Sequence, residues 1–173
     1  MKTLILGGVR SGKSRLAERL AVESGGPVTY LATAQPGSRE MAARIEAHRA
    51  RRPDNWTVIE APLYLTEALN RQRQGSGCLV IECMTMWLTN LLGHADADLL
   101  EREYRSFLDT LPGLSGEVLI VSNETNMGVI PLGELSRRYC DVAGTLHQEL
   151  ASLCDRVILT VAGLPHVLKG NPL

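Results

Sequence analysis

A chain of 173 residues is long enough for one α/β domain with a two-sided sheet and a sizeable core. Lys and Arg number 18 against 19 Asp and Glu, and the resulting net charge of −1 excludes a global field that would draw in nucleic acid or a lipid surface. Apolar residues make up 45% and charged residues 21%, an ordinary soluble composition, and no apolar run approaches the roughly 18 residues that a membrane helix needs.

The chain opens on an apolar strand, Thr3-Leu4-Ile5-Leu6. With Lys2 in front of it, this short burst reads as a core strand rather than a leader peptide. It runs into Gly7-Gly8-Val9-Arg10-Ser11-Gly12-Lys13-Ser14, the pattern G-x-x-x-x-G-K-S, and then into a helical run from Lys13 to about Ser24. The glycines let the backbone curl so that several N–H groups point at one phosphate, and the opening helix adds the positive end of its dipole there. Lys13 would reach the β- and γ-phosphates, and the Ser14 hydroxyl would ligate Mg²⁺. Motif and strand–helix context agree, so the chain is read as binding a nucleoside triphosphate.

Strand and helix patterns alternate from there on. Gly25-Gly26-Pro27 breaks the chain before a strand at Val28–Ala32. A helix from about Glu40 to Ala50 stops before Pro53, followed by a strand at 56–60 and a helix from Leu63 to about Arg73. Gly75-Ser76-Gly77 turns into the apolar strand Cys78-Leu79-Val80-Ile81-Glu82. Helical stretches follow at about 85–92 and 96–111. The strand Val118–Val121 has no polar face, as the middle of a covered parallel sheet requires. A long helix from about Leu132 to Leu153 leads to a last strand at 157–161. No repeat, low-complexity tract or linker interrupts residues 1–173, which read as one doubly wound α/β domain with ligand loops at the carboxyl ends of its strands.

The four cysteines (Cys78, Cys83, Cys140, Cys154) form no C-x-x-C pair and read as reduced, mostly buried small hydrophobes of a cytoplasmic protein. Glu82 ends an apolar strand, where phosphate-loop enzymes place the acid that helps hold Mg²⁺; the other reading is a strand-end acid facing solvent. Arg44-Ile45-Glu46-Ala47-His48-Arg49-Ala50-Arg51-Arg52 concentrates basic groups, with Arg44 and His48 four apart on one helix face. Such a cluster forks onto phosphate oxygens, and its histidine can act as acid, base or nucleophile toward phosphorus; a solvated basic face stands level with that reading. Ser122-Asn123-Glu124-Thr125-Asn126 follows the all-apolar strand, in the place where open α/β sheets bind ligands.

Together these clusters resemble one known family, the bifunctional adenosylcobinamide kinase/adenosylcobinamide-phosphate guanylyltransferases of cobalamin biosynthesis. The likeness runs nearly end to end: GGVRSGKS at 7–14, YLATA at 30–34, EMAARIEAHRARRPDNW at 40–56, IECMTMWLTNLL at 81–92, SNETNMGVIP at 122–131, and the D-x-x-G-x-x-x-Q pattern from Asp141 to Gln148. It implies a mostly parallel sheet of the P-loop NTPase (RecA-like) type and two reactions at one site. ATP or GTP phosphorylates adenosylcobinamide; GTP then gives GMP to an enzyme histidine, from which the phosphorylated corrinoid takes it to form adenosylcobinamide-GDP. The resemblance assigns that histidine to His48, nucleotide contacts to Ala32, Thr33, Ala34, Arg49, Ala50, Arg51 and Arg52, and further guanine-nucleotide or Mg²⁺ contacts to Glu60 and Glu82. It also implies a homotrimer.

Three positions depart from the family pattern. Asn126 stands where relatives usually carry glycine, an expectation of left-handed backbone that asparagine tolerates. His147 replaces an asparagine, and Cys140 a frequent arginine. Met84, Met86, Trp87, Leu88, Leu91 and Leu92 form an apolar stripe read as core or subunit packing, and His94 and His166 read as surface residues in a loop and in the tail. Two other functions fit the phosphate loop alone: a small-molecule kinase lacking the GMP step, and a nucleotide-controlled regulatory module. The second expects an N-K-x-D motif, which the chain lacks, and leaves the Arg/His cluster idle.

Overall fold

The computed structural model describes residues 1–73, 75 and 77–173, and all side chains among these except that of residue 44. Ser76 in the expected turn, and the side chain of Arg44 that was to share a face with His48, lie outside the described residues. Strands β1 (Lys2–Gly7), β2 (Val28–Ala32), β3 (Thr57–Glu60), β4 (Cys78–Glu82), β5 (Glu117–Asn123), β6 (Arg156–Val161) and β7 (Leu164–Lys169) form one sheet in the order β3-β2-β4-β5-β1-β6-β7. The first six run parallel, and β7 pairs antiparallel with β6. Helices α1 (Lys13–Glu23), α2 (Arg39–Arg49), α3 (Leu65–Arg71), α4 (Met84–Leu92), α5 (Leu99–Thr110) and α6 (Glu134–Leu153) make the crossovers.

Alternation along the strands builds two cores. Leu4, Leu6, Leu79 and Ile81 face the layer that includes α3, α4, α5 and α6, while Ile5, Val80, Leu119 and Val121 face α1. The larger core is centred on Trp87, fully buried, tilted at 58° to Phe107 with ring centroids 5.3 Å apart. Its indole N–H donates to the Leu63 carbonyl at 2.8 Å, so burial leaves no donor unpaired. The apolar stripe of α4 is therefore core: Met84, Trp87, Leu88 and Leu91 are buried, and Met86 and Leu92 half-buried.

The main departure from the sequence reading is β7. The tail expected after the last strand turns back through Ala162 and Gly163 and closes the sheet's edge, with His166 exposed upon it. Pro165 within that segment argues against a strand, yet it sits on an edge strand, the one place in a sheet where a missing N–H costs little. His94 is half-buried rather than exposed, and its Nδ1 accepts the Asp96 N–H at 3.1 Å. All four cysteines are free, two buried and two half-buried.

Candidate active site

The phosphate loop spans the end of β1 and the start of α1, held from below by its neighbour strand. A Cβ on Gly7 would stand 2.3 Å from the Thr160 carbonyl oxygen, and Gly7 has φ +153°, so only glycine fits. Gly12, the N-cap of α1, has φ +102°. Arg10 also takes a left-handed backbone, φ 57°, which costs a non-glycine residue energy and marks the loop as fixed by its surroundings. Val9 is exposed at its tip. The turn between β6 and β7 braces the loop: Gly163 N–H donates to the Ser11 carbonyl at 2.9 Å.

Lys13 is only 7% exposed. Its ammonium donates to the Gly8 carbonyl at 2.6 Å and approaches Ser11 Oγ at 3.4 Å, so it folds back over the cradle. Burial lowers its pKa, and the negative charge of Glu82 works the other way.

Glu82, at the carboxyl end of β4, is the hub. Its Oε1 accepts the Ser14 hydroxyl, its Oε2 accepts the Tyr30 hydroxyl at 3.0 Å, and His48 Nδ1 lies 3.9 Å from Oε1. Burial raises the Tyr30 pKa, with Glu82 adding to the effect, so the phenol stays a neutral donor. Arg51 Nη2 lies 3.3 Å from His48 Nδ1 and 3.4 Å from Glu18 Oε1. Ser14 and Glu18 are four apart on α1, so one face of that helix meets both Glu82 and Arg51. Helix α2 starts on a Ser38 cap whose hydroxyl accepts the Met41 N–H at 3.1 Å, and none of its described side chains is buried.

The remaining residues expected at the site are placed as follows. Ala32 and Ala34 are half-buried at the end of β2. Thr33 is fully buried, and its hydroxyl is spent internally, accepting the Cys83 N–H and donating to the Cys83 carbonyl, both at 2.7 Å. Glu60 is exposed at the end of β3, level with Ala32 and Glu82 in the register. Arg49 and Ala50 are exposed at the end of α2. The Arg52 guanidinium lies 3.6 Å over the Tyr30 ring, and its buried Nε has no hydrogen-bond partner among the described residues. Tyr30 in turn stacks on Trp56, centroids 6.4 Å apart.

The loop after β5 lies against the cradle. Glu124 N–H donates to the Gly7 carbonyl at 2.8 Å, and Asn123 Nδ2 to Thr85 Oγ1 at 3.0 Å. Asn126 does not use left-handed backbone; the only non-glycine residues described with positive φ are Arg10 and Ala162. Instead its amide donates to the Cys140 carbonyl at 2.9 Å, tying the loop to α6. Sequence reasoning passed over Tyr30 and Glu18 as site residues. The four-residue step from Ser14 signals Glu18; Tyr30 carries no local signal, because its partners Arg52, Trp56 and Glu82 lie far from it along the chain.

Ser14 and Glu82 present hard oxygen donors side by side, the kind of pair that holds Mg²⁺ together with substrate phosphates. Among the described residues no group of three or more His, Cys, Asp or Glu could hold a metal alone, so a cation here would share its shell with the nucleotide.

Comparison with known proteins identifies the family and the fold. The family model described as cobinamide kinase / cobinamide phosphate guanyltransferase matches residues 3–168. The bifunctional adenosylcobalamin biosynthesis protein CobP of Pseudomonas aeruginosa is 57% identical over 173 residues, covering 100% of both chains. CobU of Escherichia coli, described in the same words, is 37% identical over 98% of this chain and 100% of that one. Among solved structures, a type III secretion ATPase superposes with TM-score 0.57 at 13% identity, covering 96% of this chain and 56% of that one. The RadB recombinase gives TM-score 0.52 at 17% identity, covering 91% and 73%. These two show the fold alone: a P-loop NTPase sheet of the RecA-like type.

Proposed function

This chain belongs to the cobinamide kinase / cobinamide phosphate guanyltransferase family, and from that premise we propose that both reactions use the cradle of Gly7–Ser14, with His48 as the residue that carries GMP. The enzyme is bifunctional: it phosphorylates adenosylcobinamide with a nucleoside triphosphate, then transfers GMP from GTP to the product, giving adenosylcobinamide-GDP in cobalamin biosynthesis.

In the first reaction Lys13 and the loop amides hold the triphosphate while the corrinoid hydroxyl attacks the γ-phosphorus. In the second, an imidazole nitrogen of His48 attacks the α-phosphorus of GTP and pyrophosphate leaves. A phosphate oxygen of the corrinoid then displaces the imidazole, so two easier displacements replace one hard one. Arg51 Nη2 lies 3.3 Å from His48 Nδ1 as a donor, and the Glu82 carboxylate, 3.9 Å from the same nitrogen, offsets positive charge that develops on the imidazole as phosphorus is attacked. Arg49, Arg51 and Arg52 offset charge on the phosphates, and Ala32, Thr33, Ala34 and Glu60 border the nucleotide along the sheet's carboxyl edge. Ser14 and Glu82 would hold Mg²⁺, which supplies charge neutralisation between the phosphates.

The observation that carries this reading is that His48 reaches within 3.9 Å of the same Glu82 oxygen that accepts the Ser14 hydroxyl. Incubation with α-labelled GTP and Mg²⁺ tests it. Acid-labile, alkali-stable label on the wild type and none on His48→Ala is expected; equal label on both would refute the assignment.

The exposed run Met127, Val129, Ile130, Leu132 and Leu135 supports a homotrimer that covers these side chains. Sedimentation equilibrium is expected to give three times the 18.9 kDa chain mass, and a monomer would exclude the trimer. The cytoplasm as its place of work rests on the biosynthetic role of its relatives, and no helix described is long and apolar enough to cross a membrane. The near-neutral charge supports the absence of a nucleic-acid partner.

A further inference from the structure

The loop after β5 carries a carboxylate to which neither reaction above gives any work. β5 lies between β1, which delivers the phosphate loop, and β4, which delivers Glu82. Asn123 is level with Gly7, and the next amide, that of Glu124, bonds to the Gly7 carbonyl. Adjacent strands stand about 4.8 Å apart, so Glu124 sits one strand spacing from the cradle. Its side chain is 13% exposed, screened from bulk water yet open at the rim.

One carboxylate oxygen is held by a hydrogen bond and the other lies beside an imidazole. Oε1 accepts the Asn126 N–H at 2.7 Å, and Oε2 faces His147 Nδ1 at 3.5 Å. The His147 ring is buried, its Nε2 lies 2.7 Å from Ser122 Oγ, and its Nδ1 makes no hydrogen bond with any described residue, Glu124 Oε2 being its neighbour at 3.5 Å. Burial holds the imidazole neutral. When Nε2 accepts the Ser122 hydroxyl proton, the single ring N–H sits on Nδ1, the nitrogen beside Glu124, and is left unpaired. Ser122 has no exposed surface, so this Ser–His–Glu set is no nucleophilic triad. What the set offers Glu124 is a buried, unspent N–H, the kind of long contact that tightens when substrate binds.

We propose that Glu124 is the catalytic base of the kinase reaction and that His147 is the positioning residue that aims its carboxylate at the acceptor hydroxyl. The inference rests on the cradle reading under Proposed function and adds the proton acceptor that reading lacks. The hydroxyl oxygen of the corrinoid side chain bonds to the γ-phosphorus, and the bond from that phosphorus to the β–γ bridging oxygen breaks. The electron pair leaves on the nucleoside diphosphate, and the hydroxyl proton passes to Glu124 Oε2.

Kinase turnover at saturating cobinamide, together with binding of a fluorescent GTP analogue and labelling by α-labelled GTP, tests the proposal in the full-length chain. Glu124→Gln is expected to lower kinase kcat by about 10²–10⁴-fold with little change in the KM for cobinamide, a loss far larger than its effect on labelling. His147→Ala is expected to lower kcat by roughly tenfold to a hundredfold. His147→Asn, whose amide stands at the Nδ1 position and donates to Glu124, restores most of that loss. His147→Gln, whose amide stands at the Nε2 position, does not. Should Glu124→Gln fail to bind the analogue, Glu124→Asp, with its carboxylate one methylene short of the hydroxyl, is expected to show the same selective fall in kcat. Kinase turnover within about threefold of wild type in either Glu124 variant overturns the base, as does an equal loss of kinase and label. Equal rescue by both amides overturns the positioning role. A wild type that takes up no label overturns the His48 reading instead and leaves the kinase series standing.

Discussion

At Glu82 a single carboxylate meets a serine hydroxyl, a phenol and an imidazole, drawn from α1, β2 and α2. Parts of that meeting are legible in the chain. The strand-end acid follows from its apolar run, and Ser14 from its motif. The phenol is not legible, because Tyr30 reaches Glu82 across a strand pairing that spacing does not encode. Thr33 shows what spacing leaves out: its hydroxyl closes a bond pair with Cys83, across from the next strand. His147, a departure from the family pattern, turns out to be buried against Ser122. Burial lowers its pKa below the ordinary 6.5, so the unfolded chain takes up a proton in acid before the folded one does. Its contribution to stability is therefore flat above about pH 7 and lost as pH falls through about 6.5 toward the folded value. Urea midpoints at pH 5.5 and 7.5 are expected to show a steeper acid loss in the wild type than in His147→Asn; equal slopes would remove this histidine as the cause.

Among elements, the helices and parallel strands read well because hydrophobic periodicity and Gly/Pro breaks both point to them. The edge strand β7 does not, since Pro165 contradicts it locally and only pairing with β6 redeems it. That hairpin matters to the site, because its turn bonds Ser11 and packs on Gly12. A Cβ on Gly12 would come 3.1 Å from Gly163 Cα, on a residue already at φ +102°. Gly12→Ala is expected to cost about 1–3 kcal/mol of stability by urea denaturation and to weaken nucleotide binding. An alanine variant as stable and as tight as wild type would show that the hairpin yields freely.

For the molecule as a whole, the doubly wound class was readable from alternating elements, but the strand order was not. The order β3-β2-β4-β5-β1-β6-β7 brings Gly7, Asn123 and Glu82 side by side although they lie far apart in sequence. Only crossover packing decides that neighbourhood. Helix α2 and the turn after it bring polar side chains to this body, His48 beside Glu82 and Arg51 paired with Glu18, while Lys13 works from a buried position. Dissolved ions act on the two unequally. Raising ionic strength from about 0.15 to 1 M shortens the screening distance from about 8 to 3 Å. Concentrated sodium chloride should slow GMP capture severalfold while sparing cobinamide phosphorylation, so that brine, with no mutation at all, separates one activity from the other. Parallel decline of the two rates would mean that the helix is anchored by something other than charge.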